Sequence, residues 1–226
     1  DSMNKKIAFF STIFLENKKY IPGFFNSLVD QTYSLFDVVI VNDGYDEQEQ
    51  LIEQYSSLNI VILEAGKNPI ENREKGINYC IEQGYDILIF GDSDDYFSRN
   101  RVEKSIELLS KYSIVVNDLN LFDGSGVYEC NYISNRLSNY TEINYDFIEN
   151  KNIFGLSNTA LNINILGLVK FNKEIIALDW VLYKNLLKNG NTAIFTNETT
   201  TYYRQHDKNL LGLNSNNGDY LLWWEK

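Results

Sequence analysis

Cysteine is scarce in this chain: Cys80 and Cys130 are the only two among 226 residues, far apart and without metal-ligand spacing. That argues against a disulfide framework or a cysteine-held zinc site and leaves a reduced, cytosolic setting as the expectation. No apolar run approaches the length of a bilayer crossing, so no transmembrane helix is expected. No signal-peptide pattern is seen, and Asp1-Ser2 ahead of Met3 read as an expression remnant and are set aside. Positive charge is short as well. Twenty Lys and Arg face 31 Asp and Glu, a net charge of −11, which argues against a nucleic-acid partner. The acids are scattered and read mostly as solvated surface. No G-x-G-x-x-G follows the first apolar run and no G-K-[ST] occurs, which disfavours a nicotinamide dehydrogenase and a P-loop enzyme. Internal repeats and low-complexity linkers are absent too.

What is present is a globular chain, 44% hydrophobic and 14% aromatic, long enough for one domain with a sizeable core. Apolar patterning predicts strands over 6–12, 36–41, 60–63, 87–90 and 113–116. Helices are predicted over 20–31, 47–55, 69–83 and 102–111. Pro22 is tolerated in the first turn of its helix, and Asn68-Pro69 reads as a cap followed by Pro at the first helical position. Strand-helix alternation of this kind implies right-handed crossovers and a mostly parallel, Rossmann-like sheet. After Asp118 the texture becomes irregular and rich in Asn, Tyr and Ser. A hairpin is expected around Gly124-Ser125-Gly126, with strands over 127–132, 166–171, 192–195 and 199–203 and a helix over 179–188. The reading is a single domain over 3–226, with a nucleotide-binding half to about 118 and an acceptor-side half from about 119.

One stretch carries the chemistry. Ile87-Leu88-Ile89-Phe90 reads as a buried strand that runs through Gly91 into Asp92-Ser93-Asp94-Asp95. Two carboxylates about 5 Å apart repel by roughly 3 kcal/mol at an effective dielectric of about 20. A divalent cation offsets such repulsion; the alternative is a solvated turn that caps the next helix. Asn42-Asp43-Gly44 ends another predicted strand, and ligands of parallel sheets bind beyond the carboxyl ends of the strands. Two acid-bearing strand ends therefore point to one site.

In these pieces the chain resembles family 2 glycosyltransferases of the GT-A fold. Tyr20-Ile21, Ser27-Leu28 and Gln31-Thr32-Tyr33 resemble the family's first helix and its S-L-x-x-Q-T-Y ending. Val41-Asn42-Asp43-Gly44 is similar to its V-[DN]-D-G loop, and Arg73 and Gly76 to its A-R-N-x-G helix. Asp92-Ser93-Asp94-Asp95 matches the D-S-D-D version of the DxD motif. Asp179-Trp180 resembles its E-D-W segment, and Tyr203-Arg204-Gln205-His206 its Y-R-x-H. The pieces fall in the family's order over roughly 6–212. Three departures stand out. Thr12-Ile13-Phe14-Leu15 replaces P-x-Y-N, Leu178 replaces the acid before Asp179, and Glu74 stands where Asn is usual.

The resemblance implies a fold, a reaction and a set of roles. The reaction is inverting transfer of a sugar from a nucleotide-diphosphate donor, a UDP- or dTDP-sugar, to a saccharide or glycolipid hydroxyl in surface-polymer synthesis. Its place is the cytoplasm, at the inner face of the cell membrane by peripheral association. Thr12, Asp43, Arg73, Asp92, Ser93 and Arg204 would meet the donor. Asp94 and His206 would hold Mn2+ or Mg2+, and Asp179 would be the general base. Bland alternatives stand beside these roles: a turn residue for Asp43, a surface ion pair for Arg73, a helix cap for Asp179, a loop pin for Arg204 and a structural ring for His206. Asp95 is expected to cap the helix after it, and Ser157, Asn158 and Thr159 to face the acceptor. Trp223-Trp224 would pack on the core, on a partner or on a membrane surface. The rival readings are a non-catalytic binding module of the same descent and a nucleotidyltransferase. The latter wants a Gly-rich, Arg-containing loop after the first strand, and residues 12–18 contain neither Gly nor Arg.

Overall fold

The computed structural model describes residues 5–175 and 177–206. Trp223-Trp224 and the last stretch of the resemblance, 207–212, lie outside the described residues. In chain order the front half runs β1 (Ile7–Phe14), α1 (Ile21–Val29), β2 (Asp37–Asp43), α2 (Gln48–Gln54), β3 (Asn59–Glu64), α3 (Pro69–Glu82), β4 (Ile87–Phe90), β5 (Tyr96–Phe97) and α4 (Arg101–Leu109). The back half runs β6 (Ile114–Asp123), β7 (Gly126–Glu129), β8 (Glu142–Ile143), α5 (Tyr145–Ile148), β9 (Thr159–Asn162), α6 (Leu178–Lys188) and β10 (Ala193–Arg204). The strands form one sheet in the order β3-β2-β1-β4-β9-β6-β10-β5, with β7 paired to β6 and β8 to β10. The first four are parallel, as is the β6–β10 pair; β9 runs antiparallel between β4 and β6. This is the GT-A fold.

Side chains alternate across a strand, so each central strand feeds two apolar layers. Phe9, Val38, Ile40 and Ile89 face one layer with Phe24 and Phe25 of α1 and Val102 of α4. Phe10, Val39, Val41 and Phe90 face the other with Ile77 and Cys80 of α3 and Tyr183 of α6. Each such side chain, taken fully out of water, is worth about 1.5–3 kcal/mol. Asn68 Oδ1 accepts from the Glu71 N–H at 2.9 Å and starts α3, a cap worth about 1 kcal/mol. Gly76 then lets α3 settle onto β1. A Cβ there would stand 2.1 Å from the Phe10 ring, which is itself buried and has nowhere to go. No helix among the described residues is long and apolar enough to cross a membrane.

The back half departs from its expected elements in four places. Residues 166–171 form no strand; the sheet instead takes β9 from Thr159–Asn162, a short segment whose apolar content is only Ala160 and Leu161. The strands expected over 192–195 and 199–203 are one, β10, because exposed Asn197 and Glu198 sit in a bulge between Thr196 and Thr200. β6 continues past Val116 through buried Asn117 and Asp118. Asp118 Oδ1 accepts from the N–H groups of Leu119, Ile133 and Ser134, and its Oδ2 accepts from Ser134 Oγ. A polar pair so well satisfied can lie inside a sheet. The hairpin at residues 124–126 is present, but β7 stops at Glu129 and leaves Cys130 exposed beyond it.

Candidate active site

Four chain segments meet at the carboxyl ends of β1, β2 and β4: the loop after β4, the first turns of α3 and α6, and the end of β10. The loop starts at Gly91, where a Cβ would fall 2.5 Å from the Phe9 ring and 2.6 Å from the Phe97 ring. Only a bare backbone passes between those rings, and the chain then turns, with the Asp95 N–H donating to Asp92 O at 3.1 Å.

The three acids of this turn point to different partners. Asp95 is turned inward and buried; its Oδ2 accepts from Ser157 Oγ at 2.6 Å and its Oδ1 from the Arg204 N–H at 2.8 Å. It caps no helix, contrary to expectation. α4 starts six residues later, after Asn100, whose side chain makes no cap bond. Burial, reinforced by the charges of Asp94 and Asp92, raises the Asp95 pKa well above the usual carboxylate range. Asp94 touches His206 Nε2 through its Oδ2, and its backbone carbonyl accepts from Arg204 Nε at 2.8 Å. The Arg204 guanidinium lies between the Tyr20 ring at 4.0 Å and the Phe122 ring at 4.3 Å. Asp92 faces the opposite flank. Burial and the Asp94 charge push its carboxyl up to about 7, with Arg73 pulling the other way. One ligand oxygen from each acid lies within 4.8 Å of the others.

On the Asp92 flank is a pocket of about 340 Å³ lined by Arg73, Ser157, Asn158, Asp179 and Tyr203 along with apolar residues of α3 and of the segment before α6. Asp179 sits one residue inside α6 and, unlike a cap, makes no cap bond; its Oδ1 accepts from the Trp180 N–H at 2.7 Å. Burial pushes its carboxyl up to about 7, against the backbone donors of the helix start and Arg73. Asp179 and Asp92 are thus two half-buried acids on one pocket, each favoured in its charged form by Arg73.

Other expected residues are placed differently. Asp43 ends β2, exposed, with Oδ2 accepting from Asn72 Nδ2 at 2.9 Å; buried Asn72 in turn accepts from the Gly66 N–H at 2.7 Å. The turn chemistry there belongs to Asn42, which bonds both the N–H and the carbonyl of Tyr45. Thr12 is buried in β1 opposite Val41, because β1 runs straight through the segment expected as a loop and ends at Phe14. Ser93 is buried too and accepts from Asn17 Nδ2 at 3.2 Å. Neither lines the pocket; both sit in the protein interior, with Ser93 tied to the turn after β1. The Asn158 amide is taken up by the Asn117 and Ile153 carbonyls and the Gly155 N–H, so it staples backbone rather than reaching out. Thr159 likewise bonds Gly155 O and Tyr183.

Sequence reasoning missed Asn72, and it gave Ser157 no part in the acid loop. The Ser157 hydroxyl accepts from the Asp92 N–H at 3.1 Å while donating to Asp95, so it clasps both ends of the turn. Its place before a strand that had not been anticipated carried no signal.

The site's donor set is oxygen-rich with one imidazole, and its acids repel one another at short range. Both features suit a hard divalent cation.

The chain is similar to known proteins in sequence and in fold. The Glycosyl transferase family 2 profile matches residues 10–175. The teichuronic acid biosynthesis glycosyltransferase TuaG of Bacillus subtilis is 24% identical over 196 residues, which cover 83% of this chain and 74% of TuaG. S. aureus TarS in complex with UDP superposes with a TM-score of 0.69 at 19% identity, over 90% of this chain and 61% of that one. The mannosyltransferase PcManGT of Pyrobaculum calidifontis, in complex with GDP-Man and Mn2+, gives 0.63 at 13% identity, over 90% of this chain and 58% of that one. The chain thus spans less than two thirds of either solved protein, and at such identities the likeness is one of fold.

Proposed function

Since this chain belongs to glycosyltransferase family 2, we propose that it transfers a sugar from a nucleotide-diphosphate donor to a hydroxyl acceptor with inversion, at the Asp92–Asp95 loop. The observation that carries this reading is the split of the loop's acids. Asp94 and His206 occupy one flank, and Asp92 shares a pocket with Arg73 and Asp179 on the other. A diphosphate laid across the loop would bridge the two flanks.

In this account the nucleotide base lies near Asp43, whose carboxylate Asn72 holds in place. Arg73 meets the donor with its planar fork of donors. Asp94 and His206 would hold Mn2+ or Mg2+, with Asp92 close by. The cation, when bound, supplies charge neutralisation on the departing diphosphate. The acceptor oxygen attacks the anomeric carbon from the face opposite the leaving group. The bond from that carbon to the diphosphate oxygen breaks and its electron pair stays on the diphosphate. Asp179 takes the acceptor's hydroxyl proton. A sugar hydroxyl is a weak nucleophile at neutral pH, so a base is required, and a carboxyl pushed up to about 7 is well matched to the task.

Donor and acceptor classes rest on resemblance. The UDP of TarS supports the UDP-sugar, the Mn2+ of PcManGT supports the cation, and the teichuronic acid synthesis of TuaG supports a polymer acceptor, while the dTDP-sugar and the glycolipid rest on the family resemblance alone. The front half of the domain, to about residue 118, handles the nucleotide, and the back half supplies the acceptor side. Work at the inner face of the cell membrane by peripheral association fits such an acceptor.

Thermal unfolding in the presence of UDP-, dTDP- and GDP-sugars, with and without Mn2+, tests the proposal. One nucleotide series should raise the melting temperature, and only when Mn2+ is present. At ligand a hundredfold above its dissociation constant the gain is about 2.7 kcal/mol, several degrees for a domain of this size. No shift with any nucleotide, or a shift indifferent to metal, contradicts it.

A further inference from the structure

Arg101 opens α4 and is the largest fully buried side chain described. Among the described residues no carboxylate touches it. Its Nη2 donates to the carbonyl oxygens of Phe90 at 2.6 Å and Thr159 at 3.2 Å, while its Nε and Nη1 have no hydrogen-bond partner among the described residues. The guanidinium lies over the Phe97 ring at 4.8 Å and the Phe9 ring at 5.5 Å. These are the two rings between which Gly91 threads. Phe90 is the last residue of β4, two before Asp92; Thr159 is the first of β9, two after Ser157. The side chain thus joins the two strand ends from which the acid loop and its hydroxyl clasp emerge.

A guanidinium is a poor choice for packing alone. Burying a cation without a paired anion is strongly unfavourable. Burial does lower its pKa, to about 9, yet it stays charged at neutral pH, and the groups whose fields favour that charge are Tyr183 of α6 and then Asp95 and Asp92. Each half of the arrangement is costly alone: three acids crowd one turn, and a cation sits in an apolar layer beneath them. Together they offset one another.

We propose that Arg101 is a positioning residue, a fixed internal cation beneath the acid loop that holds Asp92 and Asp95 in place before a divalent cation and nucleotide arrive. The proposal rests on the reading that this loop binds a divalent cation. A loop assembled in advance by its own buried charge need not be ordered by the ligand, so less binding energy is lost to ordering.

The test compares wild type with Arg101→Met, which keeps the length and loses the charge, and Arg101→Lys, which keeps the charge. Thermal unfolding is followed without metal and with saturating Mn2+ alone. If Arg101 is a counter-charge, Arg101→Met loses several degrees without metal and regains much of the loss with Mn2+, so its metal-induced shift exceeds that of wild type. Arg101→Lys should show the wild-type shift. Equal losses with and without Mn2+ in both variants would overturn the proposal, because packing alone behaves that way.

Should Arg101→Met fail to fold, the pair Arg101→Met with Asp92→Asn decides, because the bonds that shape the loop run through the Asp92 backbone and the Asp95 carboxyl and leave the Asp92 carboxyl out. Removing the facing charge should restore folding, and failure of the double variant to fold would also overturn the proposal. The pair distinguishes this inference from the function beneath it. If wild type shows no Mn2+ shift the metal reading falls, while rescue of Arg101→Met by Asp92→Asn still reports on the buried charge.

Discussion

Replacing Asp179 by Asn should leave donor affinity within about twofold of wild type and lower sugar transfer by about 10²–10⁴-fold, the usual worth of a general base. The amide is nearly isosteric, and its oxygen can still accept from the Trp180 N–H that fixes the side chain at the start of α6. What it cannot do is take a proton. Donor titration by calorimetry and single-turnover transfer measure the two halves separately. Retained turnover would leave Asp179 a first-turn residue that merely complements the helix dipole.

The same carboxyl sets a pH dependence. Burial raises its folded pKa to about 7, above the ordinary aspartate value of 3.8. Below about 7 the side chain is protonated and no base is available, so kcat/KM should rise with pH through about 7 and level off above. Stability runs the opposite way. A carboxyl whose pKa is raised on folding binds its proton more tightly in the folded state, so its contribution is greatest below the unfolded value and is lost as pH rises through the folded one. Asp179→Asn should therefore be more stable than wild type above about pH 7 and lack this loss.

Replacing Asp94 by Ala should abolish the metal dependence of donor binding. The loss should exceed the ~10–100-fold that outer-shell changes cost a metal site. The contacts that shape the loop are the Arg204 Nε bond to the Asp94 backbone carbonyl, the Ser157 clasp and the Asp95–Arg204 backbone bond, and none uses the Asp94 carboxylate. Alanine removes the ligand, leaves the turn standing and frees His206 from its carboxylate partner. Unchanged affinity with the same response to Mn2+ would remove Asp94 from the metal site and leave its contact with His206 purely structural.

The front of the molecule was legible because its apolar residues obey simple periods. Phe9 and Phe10 alternate between layers, Asn68-Pro69 starts α3 as its types require, and Ile87–Phe90 is buried on both faces. The acid loop was legible for the same reason, as charges at the end of an apolar run.

The back half hid its order in polar residues that are satisfied only by distant partners. Asn117 and Asp118 look like the end of a strand, yet they are buried mid-strand because Thr201, Ile133 and Ser134 meet them. β9 carries too few apolar residues to announce itself. Asp95 sits where a cap would sit, and only the approach of β10 shows it serving Arg204. Arg101 and Arg99 are two positions apart with nothing to tell them apart in the chain; one is fully buried beneath the site, and the other is exposed with its Nε on Asp30 O. Which charged side chain goes inside is decided by where a third element packs, and periodicity does not carry that information.

The central claim is that one loop places a divalent cation and a nucleotide diphosphate between Asp94 and Asp179. It is tested most directly by anomalous diffraction from crystals grown with Mn2+ and UDP or dTDP. The account predicts a manganese peak at the Asp94 carboxylate and His206, with the diphosphate reaching toward Asp92 and Arg73. A nucleotide bound with no manganese at Asp94, or a peak elsewhere on the surface, would contradict it.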